Sequence, residues 1–116
     1  MRKFNLTEEE KRAIEIAQEK GIDIDAVGAY IYLFSHGNIY PPTADEIIQY
    51  TEEYYVDKYD TLQEFAEYNA YETDVFPNSM DYVDWTKYID YLFDFNGDFA
   101  YVFDDELNKY IIFGSF

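Results

Sequence analysis

The sequence predicts an α+β fold, namely a small, mainly helical single domain of four or five helices with a C-terminal β-hairpin. Helix-start patterns of the S/T-x-x-E type recur along the chain, each followed by apolar residues at helical spacing. Near the C-terminus, the apolar runs FAYVF and KYIIF flank a polar turn, which is typical of a hairpin. A chain of 116 residues with 48% hydrophobic residues is also large enough to bury a core.

The first helix is predicted to begin at a capping box made by Thr7 and Glu10. Its inner face carries three apolar residues: Ala13, Ile14 and Ala17. Gly21 is its expected end, because glycine readily adopts the left-handed conformation that closes a helix. The charges of this helix are mixed, and we expect it to be scaffold.

A second helix is predicted with Asp25 as its N-cap and Gly37 as its end. Its apolar stripe consists of Val27, Tyr30, Ile31 and Phe34. Because the surrounding sequence is almost wholly apolar, we expect this helix to lie at the centre of the core.

The third helix follows a connection that Pro41 and Pro42 exclude from regular structure. Its start is a second capping box, formed by Thr43 and Glu46. The inward residues are Ala44, Ile47, Ile48 and Thr51, and the outward acids are Asp45, Glu52 and Glu53. Residues 54–58 are predicted to be an extended link.

The fourth helix begins at the capping box of Thr61 and Glu64. Its inner face carries Leu62, Phe65, Ala66 and Ala70, and its outer face carries Asp60, Glu64, Glu67, Tyr71 and Asp74. We expect this outer face to have no compensating lysine.

The fifth helix, DWTKYIDYLFDFNG, follows a turn predicted at residues 77–79 and is expected to end at Gly97. Its inner stripe is Trp85, Tyr88, Ile89, Leu92 and Phe93, and its outward residues are Asp90, Tyr91 and Asp94. The terminal hairpin then turns at residues 104–108.

The chain has a formal net charge of −17, and this charge is unevenly placed. Residues 1–40 contain seven acids and five bases, a balance of −2, while residues 41–116 contain eighteen acids and three bases, a balance of −15. We therefore predict one acidic domain, 1–116, with a near-neutral helical scaffold at 1–40 and an acidic part at 41–116. Self-repulsion of this size opposes folding, which suggests that the charge has a use.

The sequence lacks the residues that most catalytic and metal-binding sites require. There is no cysteine, and His36 is the only histidine, so a zinc cluster or a Ser-His-Asp triad within one chain is excluded. Residues 94–98 resemble a calcium loop, but the glycine arrives too early and no glutamate closes it. We predict no catalytic residue, no metal site, no cofactor and no enzyme activity.

The partner expected from the charge is a protein with a basic DNA-binding groove. Carboxylates three or four residues apart on a helix are spaced by about 5 to 6 Å, which coarsely imitates the phosphates of B-DNA at about 3.4 Å along each strand. The candidate surface consists of Asp45, Glu52, Glu53, Asp60, Glu64, Glu67, Asp74, Asp90 and Asp94. Direct nucleic-acid binding is not expected, because the sign of the charge is wrong for it. Neither a secretory signal nor a membrane-spanning segment is recognisable, so a bacterial cytoplasm is the expected location.

Three stretches resemble the ArdA-type antirestriction proteins: D-T-L-Q-E-F-A-E-Y at 60–68, Y-I-D-Y-L-F at 88–93 and Y-I-I-F at 110–113. A weaker match extends back through AYIYLFSHGN at 29–38. ArdA proteins are acidic DNA mimics of phages and mobile elements, and they are longer, so the chain resembles their last part. The resemblance implies inhibition of a Type I restriction-modification enzyme by competition with DNA, and it leaves a homodimer open.

Other functions remain open from the sequence. The alternative within the same physical class is a DNA mimic that inhibits a CRISPR effector or a transcription regulator. A non-mimic acidic interaction module, with the acids as an ordinary solvated face, is the second class. Enzyme activity comes third, since among twenty-five acids some pair will always lie at a plausible distance for acid-base catalysis.

Overall fold

A computed structural model describes residues 6–35, 39–73, 82–95 and 97–114 of the chain. Within these ranges the fold has five α-helices: α1 (Glu8–Lys20), α2 (Ile24–Tyr30), α3 (Ala44–Tyr54), α4 (Leu62–Thr73) and α5 (Trp85–Asp90). Three strands form one sheet: β1 (Tyr55–Tyr59), β2 (Phe99–Asp104) and β3 (Lys109–Gly114). The predicted α+β fold class, with five helices and a C-terminal hairpin, is confirmed.

The capping boxes of α1 and α3 form as predicted. In α1 the Thr7 N–H donates to Glu10 Oε1 at 2.8 Å and the Glu10 N–H donates to Thr7 Oγ1 at 3.2 Å. In α3 the Thr43 N–H donates to Glu46 Oε1 at 3.0 Å and the Glu46 N–H donates to Thr43 Oγ1 at 3.2 Å. Gly21 ends α1 in the left-handed conformation, with φ of 71°, as its sequence position indicates.

The predicted cap of α2 was wrong by two residues. Asp23, and not Asp25, has the extended backbone of an N-cap, and its Oδ1 accepts the N–H groups of Asp25 at 3.0 Å and Ala26 at 3.3 Å. Asp25 lies inside the first helical turn, where an acid also favours the positive end of the helix dipole. Both aspartates satisfy the same sequence preference, and only the backbone conformation separates them.

Two helices end in a five-residue π-helical segment. Ile31–Ser35 continues α2 and Tyr91–Phe95 continues α5. The predicted end of the second helix, Gly37, lies outside the described residues, as do the turn at 77–79 and Asp74. Gly97 adopts φ of 68°, the conformation expected of the residue that stops the fifth helix.

The sheet is antiparallel with the strand order β1-β3-β2, so the last strand is the central one. The sequence predicted residues 54–58 only as an extended link, whereas Tyr55–Tyr59 pairs with β3 across about fifty residues of chain. Local patterns carry no information on such a long-range pairing. An irregularity between Tyr55 and Asp57 places Val56 outside the ladder, as in a β-bulge.

The central strand separates two cores. Successive side chains of a strand point to opposite faces, and Ile111 and Phe113 pack with α1, α2 and α3, while Ile112 packs with α4 and α5. All three of these side chains are fully buried. The molecule is therefore layered, with one group of helices on each face of the sheet and principal extents of 50 × 26 × 22 Å.

The inner faces predicted for the helices are buried. Phe65, Ala66 and Ala70 of α4 are at most 2% exposed, and Tyr88 and Leu92 lie in the same cluster. Trp85, Ile89 and Phe93 are half-buried and pack against that cluster. In the other core, α2 is buried from Ala26 to Tyr30, which confirms its central position.

Candidate acidic interaction surface

The outer face of α4 is exposed as predicted. Thr61 Oγ1 accepts the N–H of Glu64 at 3.1 Å and so begins the helix. Because Phe65 and Ala66 point into the core, Glu64, Glu67 and Tyr71 point into solvent, with Tyr71 74% exposed. Tyr68, which the sequence pattern did not single out, is also 54% exposed and lies four residues after Glu64.

The helix α5 packs beside α4, and α5 and its π segment also carry exposed acidic and aromatic residues. Asp90, Tyr91 and Asp94 are exposed, with Tyr91 at 50%. The Tyr91 ring stacks on Tyr88, with centroids 6.3 Å apart and planes 14° apart. The Tyr88 hydroxyl donates to Asn69 Oδ1 at 2.7 Å, which holds α5 against α4. We call the exposed residues of α4, α5 and the second π segment the α4–α5 surface.

One prediction about the outer face of the fourth helix needs correction. The outer acids were expected to have no compensating lysine, but Lys109 Nζ of β3 pairs with Asp60 Oδ1. Asp60 precedes α4, and Lys109 lies 49 residues after Asp60 in the chain. Local sequence patterns therefore could not predict this pair. Both side chains are well exposed, at 61% and 41%, so water and salt screen the pair and its net contribution to stability is small.

The acids of α3 lie on the other face of the sheet. Asp45, Glu52 and Glu53 line a shallow depression of about 550 Å³, together with Ile16 and Lys20 of α1. The candidate surface predicted from the sequence is thus divided between two opposite faces, with Lys20 beside the α3 set. Eight of its nine residues are described and all eight are exposed, while Asp74 lies outside the described residues.

Several acidic side chains form hydrogen bonds within the fold and are therefore not available on the surface to contact a partner. Glu10 is buried, caps α1 and accepts the Ser35 hydroxyl at 2.5 Å. Glu9 Oε1 accepts the N–H of Ala44 at 3.2 Å, and so joins α1 to the start of α3. Asp104 is buried at the hairpin turn, where its Oδ1 accepts the N–H groups of Glu106 and Leu107 at 3.0 and 3.2 Å.

Lys58 of β1 forms ion pairs with two further acidic residues. Its Nζ lies 2.7 Å from Asp23 Oδ2 and 3.5 Å from Asp25 Oδ2. Burial would raise the pKa of Asp23, but hydrogen bonds from Lys58 and from backbone N–H groups, together with the ammonium charge, outweigh it and lower the pKa. Burial would lower the pKa of Lys58, and the two carboxylates outweigh it and raise that pKa.

Other site chemistries find little support in the described ranges. No group of three or more histidine, aspartate or glutamate side chains is placed there to hold a metal ion. Of the calcium-like stretch, Asp94 is exposed and Asn96 lies outside the described residues, as does His36. None of the helices described in the structure has the length and apolar character needed to cross a membrane.

Comparisons with protein-family models, with curated proteins and with solved structures found no match to this chain.

Proposed function

We propose that this protein is a DNA mimic that occupies the basic DNA-binding groove of a defence enzyme. By its resemblance to the ArdA-type proteins, a Type I restriction-modification enzyme is the proposed target, and the proposed setting is the cytoplasm of a bacterium that carries a phage or mobile element. Inhibition is by competition with DNA and requires no catalytic group in the inhibitor.

The charge balance of the α4–α5 surface is the observation that carries this proposal. The described residues of the segment from 62 to 95, which comprise this surface and the N-cap of α5, carry six exposed carboxylates: Glu64, Glu67, Glu72, Asp84, Asp90 and Asp94. Lys87 is the only cation in these same residues. A groove that binds DNA through lysine and arginine would meet here a surface of phosphate-like sign, and electrostatic steering would speed their encounter.

The packing beneath the surface supports the same proposal. A mimic must hold its charges in place before binding, because ordering them at the moment of binding costs free energy. Phe65 lies under α4 and contacts Phe93 and Phe99, with centroid distances of 5.8 and 5.0 Å. The carboxylates therefore stand on helices fixed by an aromatic core.

The dimensions of the molecule are compatible with a DNA-length groove. Its longest extent is 50 Å. At a rise of about 3.4 Å per phosphate along one strand, that length corresponds to roughly fifteen phosphates. A protein of this shape can lie along a groove that normally holds more than one turn of duplex.

A displacement assay tests the proposal. Duplex DNA carrying a fluorescent label is bound to a purified Type I restriction-modification enzyme, and the protein is titrated in at about 50 and 200 mM salt. We expect displacement at low salt that weakens as salt rises. Polyglutamate with seventeen carboxylates matches the net charge of the chain and is the control.

Three outcomes contradict the proposal. The protein fails to displace DNA at low salt, or polyglutamate displaces it equally well, or the protein itself binds duplex DNA tightly without magnesium. Displacement from a CRISPR effector or a transcription regulator, and not from the restriction enzyme, would transfer the same mechanism to the alternative target.

A further inference from the structure

Exposed tyrosines lie among the carboxylates of α4, and the charge requirement of mimicry does not explain them. Tyr68 and Tyr71 are 54% and 74% exposed. Within the described residues, neither ring stacks on another ring and neither hydroxyl makes a hydrogen bond. Tyrosine is also a poorer helix former than glutamate, lysine or alanine, so helix propensity does not explain the two rings.

The exposed face of α4 carries tyrosines and glutamates together. Residues three or four apart on a helix are neighbours, which places Glu64 beside Tyr68 and Glu67 beside Tyr71. Glu72 lies four residues after Tyr68. A ligand group that stacks on either tyrosine ring would therefore lie within reach of at least one carboxylate.

Tyr91 adds a third ring at the edge of α4. Its ring stacks on Tyr88, and the Tyr88 hydroxyl binds Asn69 in the middle of α4. Asp94 is exposed on the same π segment as Tyr91. The element packed beside α4 thus also carries exposed aromatic and acidic groups.

We propose that the α4–α5 surface recognises arginine side chains of the partner, each guanidinium stacking on Tyr68 or Tyr71 while it pairs with a neighbouring glutamate. A guanidinium is planar, weakly hydrated and able to stack on an aromatic face while its edge donates to a carboxylate. A lysine ammonium is compact and strongly hydrated, and it gains less from the ring.

This inference rests on the proposed function, because a DNA-binding groove supplies the cations, and it adds that arginine is the preferred cation. It predicts a component of binding that charge alone does not provide. Exposed cation–π contacts at two rings are worth roughly five- to thirty-fold in affinity in all, and lysine gains only part of this. Arginine should therefore be favoured over lysine by less than about thirty-fold.

The test uses octa-arginine and octa-lysine peptides as probes, with affinities measured by fluorescence anisotropy at matched salt. We expect the wild-type protein to bind octa-arginine more tightly than octa-lysine, by at least about three-fold and less than about thirty-fold. The double variant Tyr68→Ala/Tyr71→Ala keeps the net charge and should lose this preference, while its affinity for octa-lysine changes by no more than about two-fold. Tyr68→Phe/Tyr71→Phe keeps both rings and should retain the preference.

The matched control removes two exposed rings elsewhere. Tyr32 and Tyr40 are 42% and 86% exposed and lie in the part of the chain that precedes α3. Tyr32→Ala/Tyr40→Ala should leave the preference for octa-arginine unchanged. Circular dichroism of each variant checks that the helices persist.

Equal binding of the two peptides by the wild-type protein, or an undiminished preference in Tyr68→Ala/Tyr71→Ala, overturns the inference. Failure of the proposed function would appear in a different assay. The wild-type protein would then displace no DNA from the restriction enzyme or from the alternative targets, regardless of its preference between the two peptides. Displacement of DNA without arginine preference overturns only the inference.

Discussion

At the scale of single residues, Lys58 joins the sheet to the helices on one of its faces. Its ammonium reaches both Asp23, the cap of α2, and Asp25 in the first turn of that helix. The Lys58 side chain is 24% exposed and the two carboxylates are 34% and 32% exposed, so screening by water is only partial. In a chain with seventeen excess negative charges, this cation also relieves repulsion between two acids that are close together.

We expect Lys58→Met to lower the free energy of unfolding by about 1 to 3 kcal/mol, since it leaves two carboxylates without their charged partner. Lys87→Met is the control, because Lys87 makes no side-chain ion pair within the described residues and should change stability by less than about 0.5 kcal/mol. Urea denaturation of both variants measures the difference. Equal effects of the two substitutions would show that Lys58 acts only through the net charge.

The pH dependence of the Lys58 contribution has a defined sign on each side. The pKa of Asp23 is lowered from 3.8 in the folded protein, so the contribution is present above about pH 3.8 and is lost as pH falls through the folded value. The pKa of Lys58 is raised from 10.5, so the contribution is present below that pH and is lost as pH rises through the folded value. The stability difference between wild type and Lys58→Met should therefore be level from pH 5 to 9 and shrink outside about pH 4 to 11. A difference that varies between pH 5 and 9 would contradict this account.

At the scale of elements, β3 organises the molecule because both of its faces are buried. Phe113 contacts Tyr30 of α2 and Tyr55 of β1, with ring centroids 6.1 and 5.9 Å apart. On the opposite face, Ile112 packs in the cluster that contains Phe65 of α4. Alternation of polar and apolar residues is therefore absent from KYIIF, which is typical of a central strand.

We expect Phe65→Ala to destabilise the protein by about 3 to 5 kcal/mol, because the side chain is 2% exposed and its loss leaves a cavity. Trp85→Ala should cost less than Phe65→Ala, since Trp85 is only half-buried. Glu67→Gln, on the outer face of the same helix as Phe65, should lie within about 0.5 kcal/mol of wild type. Thermal melts of the three variants measure this order of stability. A larger loss of stability for Glu67→Gln than for Phe65→Ala would mean that the buried and exposed faces of α4 are assigned wrongly.

The elements that were predicted correctly are those fixed by neighbouring residues. The capping boxes of α1 and α3, the buried face of α4 and the turn of the hairpin depend on residues at most a few positions apart, and local sequence patterns reveal them. The pairing of β1 with β3 and the contact of Asp60 with Lys109 depend on residues about fifty positions apart. The same limit applies to the candidate surface, whose members were each predicted to be exposed but not predicted to lie on two opposite faces.

At the scale of the whole molecule, the two acidic faces act independently. Helices with their side chains are about 10 Å thick, so the α3 set and the α4–α5 surface are separated by two helical layers and the sheet. The Debye length is about 8 Å at physiological salt, which screens one face from the other. If the proposed function is right, the basic groove of the partner would therefore meet the charge of one face, and not the full net charge of −17.

The charges of a DNA mimic should contribute in small, additive shares, and paired substitutions test this. Glu64→Gln/Glu67→Gln and Asp90→Asn/Asp94→Asn each remove two exposed carboxylates of the α4–α5 surface. We expect each pair to weaken displacement of DNA and to reduce the slope of log affinity against log salt by up to about 2, or about 1 per charge contact. Combining the pairs should weaken displacement further, and folding should persist because like charges are removed.

The control for these substitutions comes from α1. Glu15 and Glu19 are exposed and four residues apart, which is the spacing of Asp90 and Asp94, but they lie on a helix with nearly balanced charge. Glu9 is unsuitable because it binds the Ala44 N–H, and Glu8 because it pairs with Lys11 at 3.7 Å. Glu15→Gln/Glu19→Gln should leave displacement and its salt dependence unchanged. If the α1 pair and the α4–α5 pairs weaken displacement equally, general acidity replaces mimicry as the explanation.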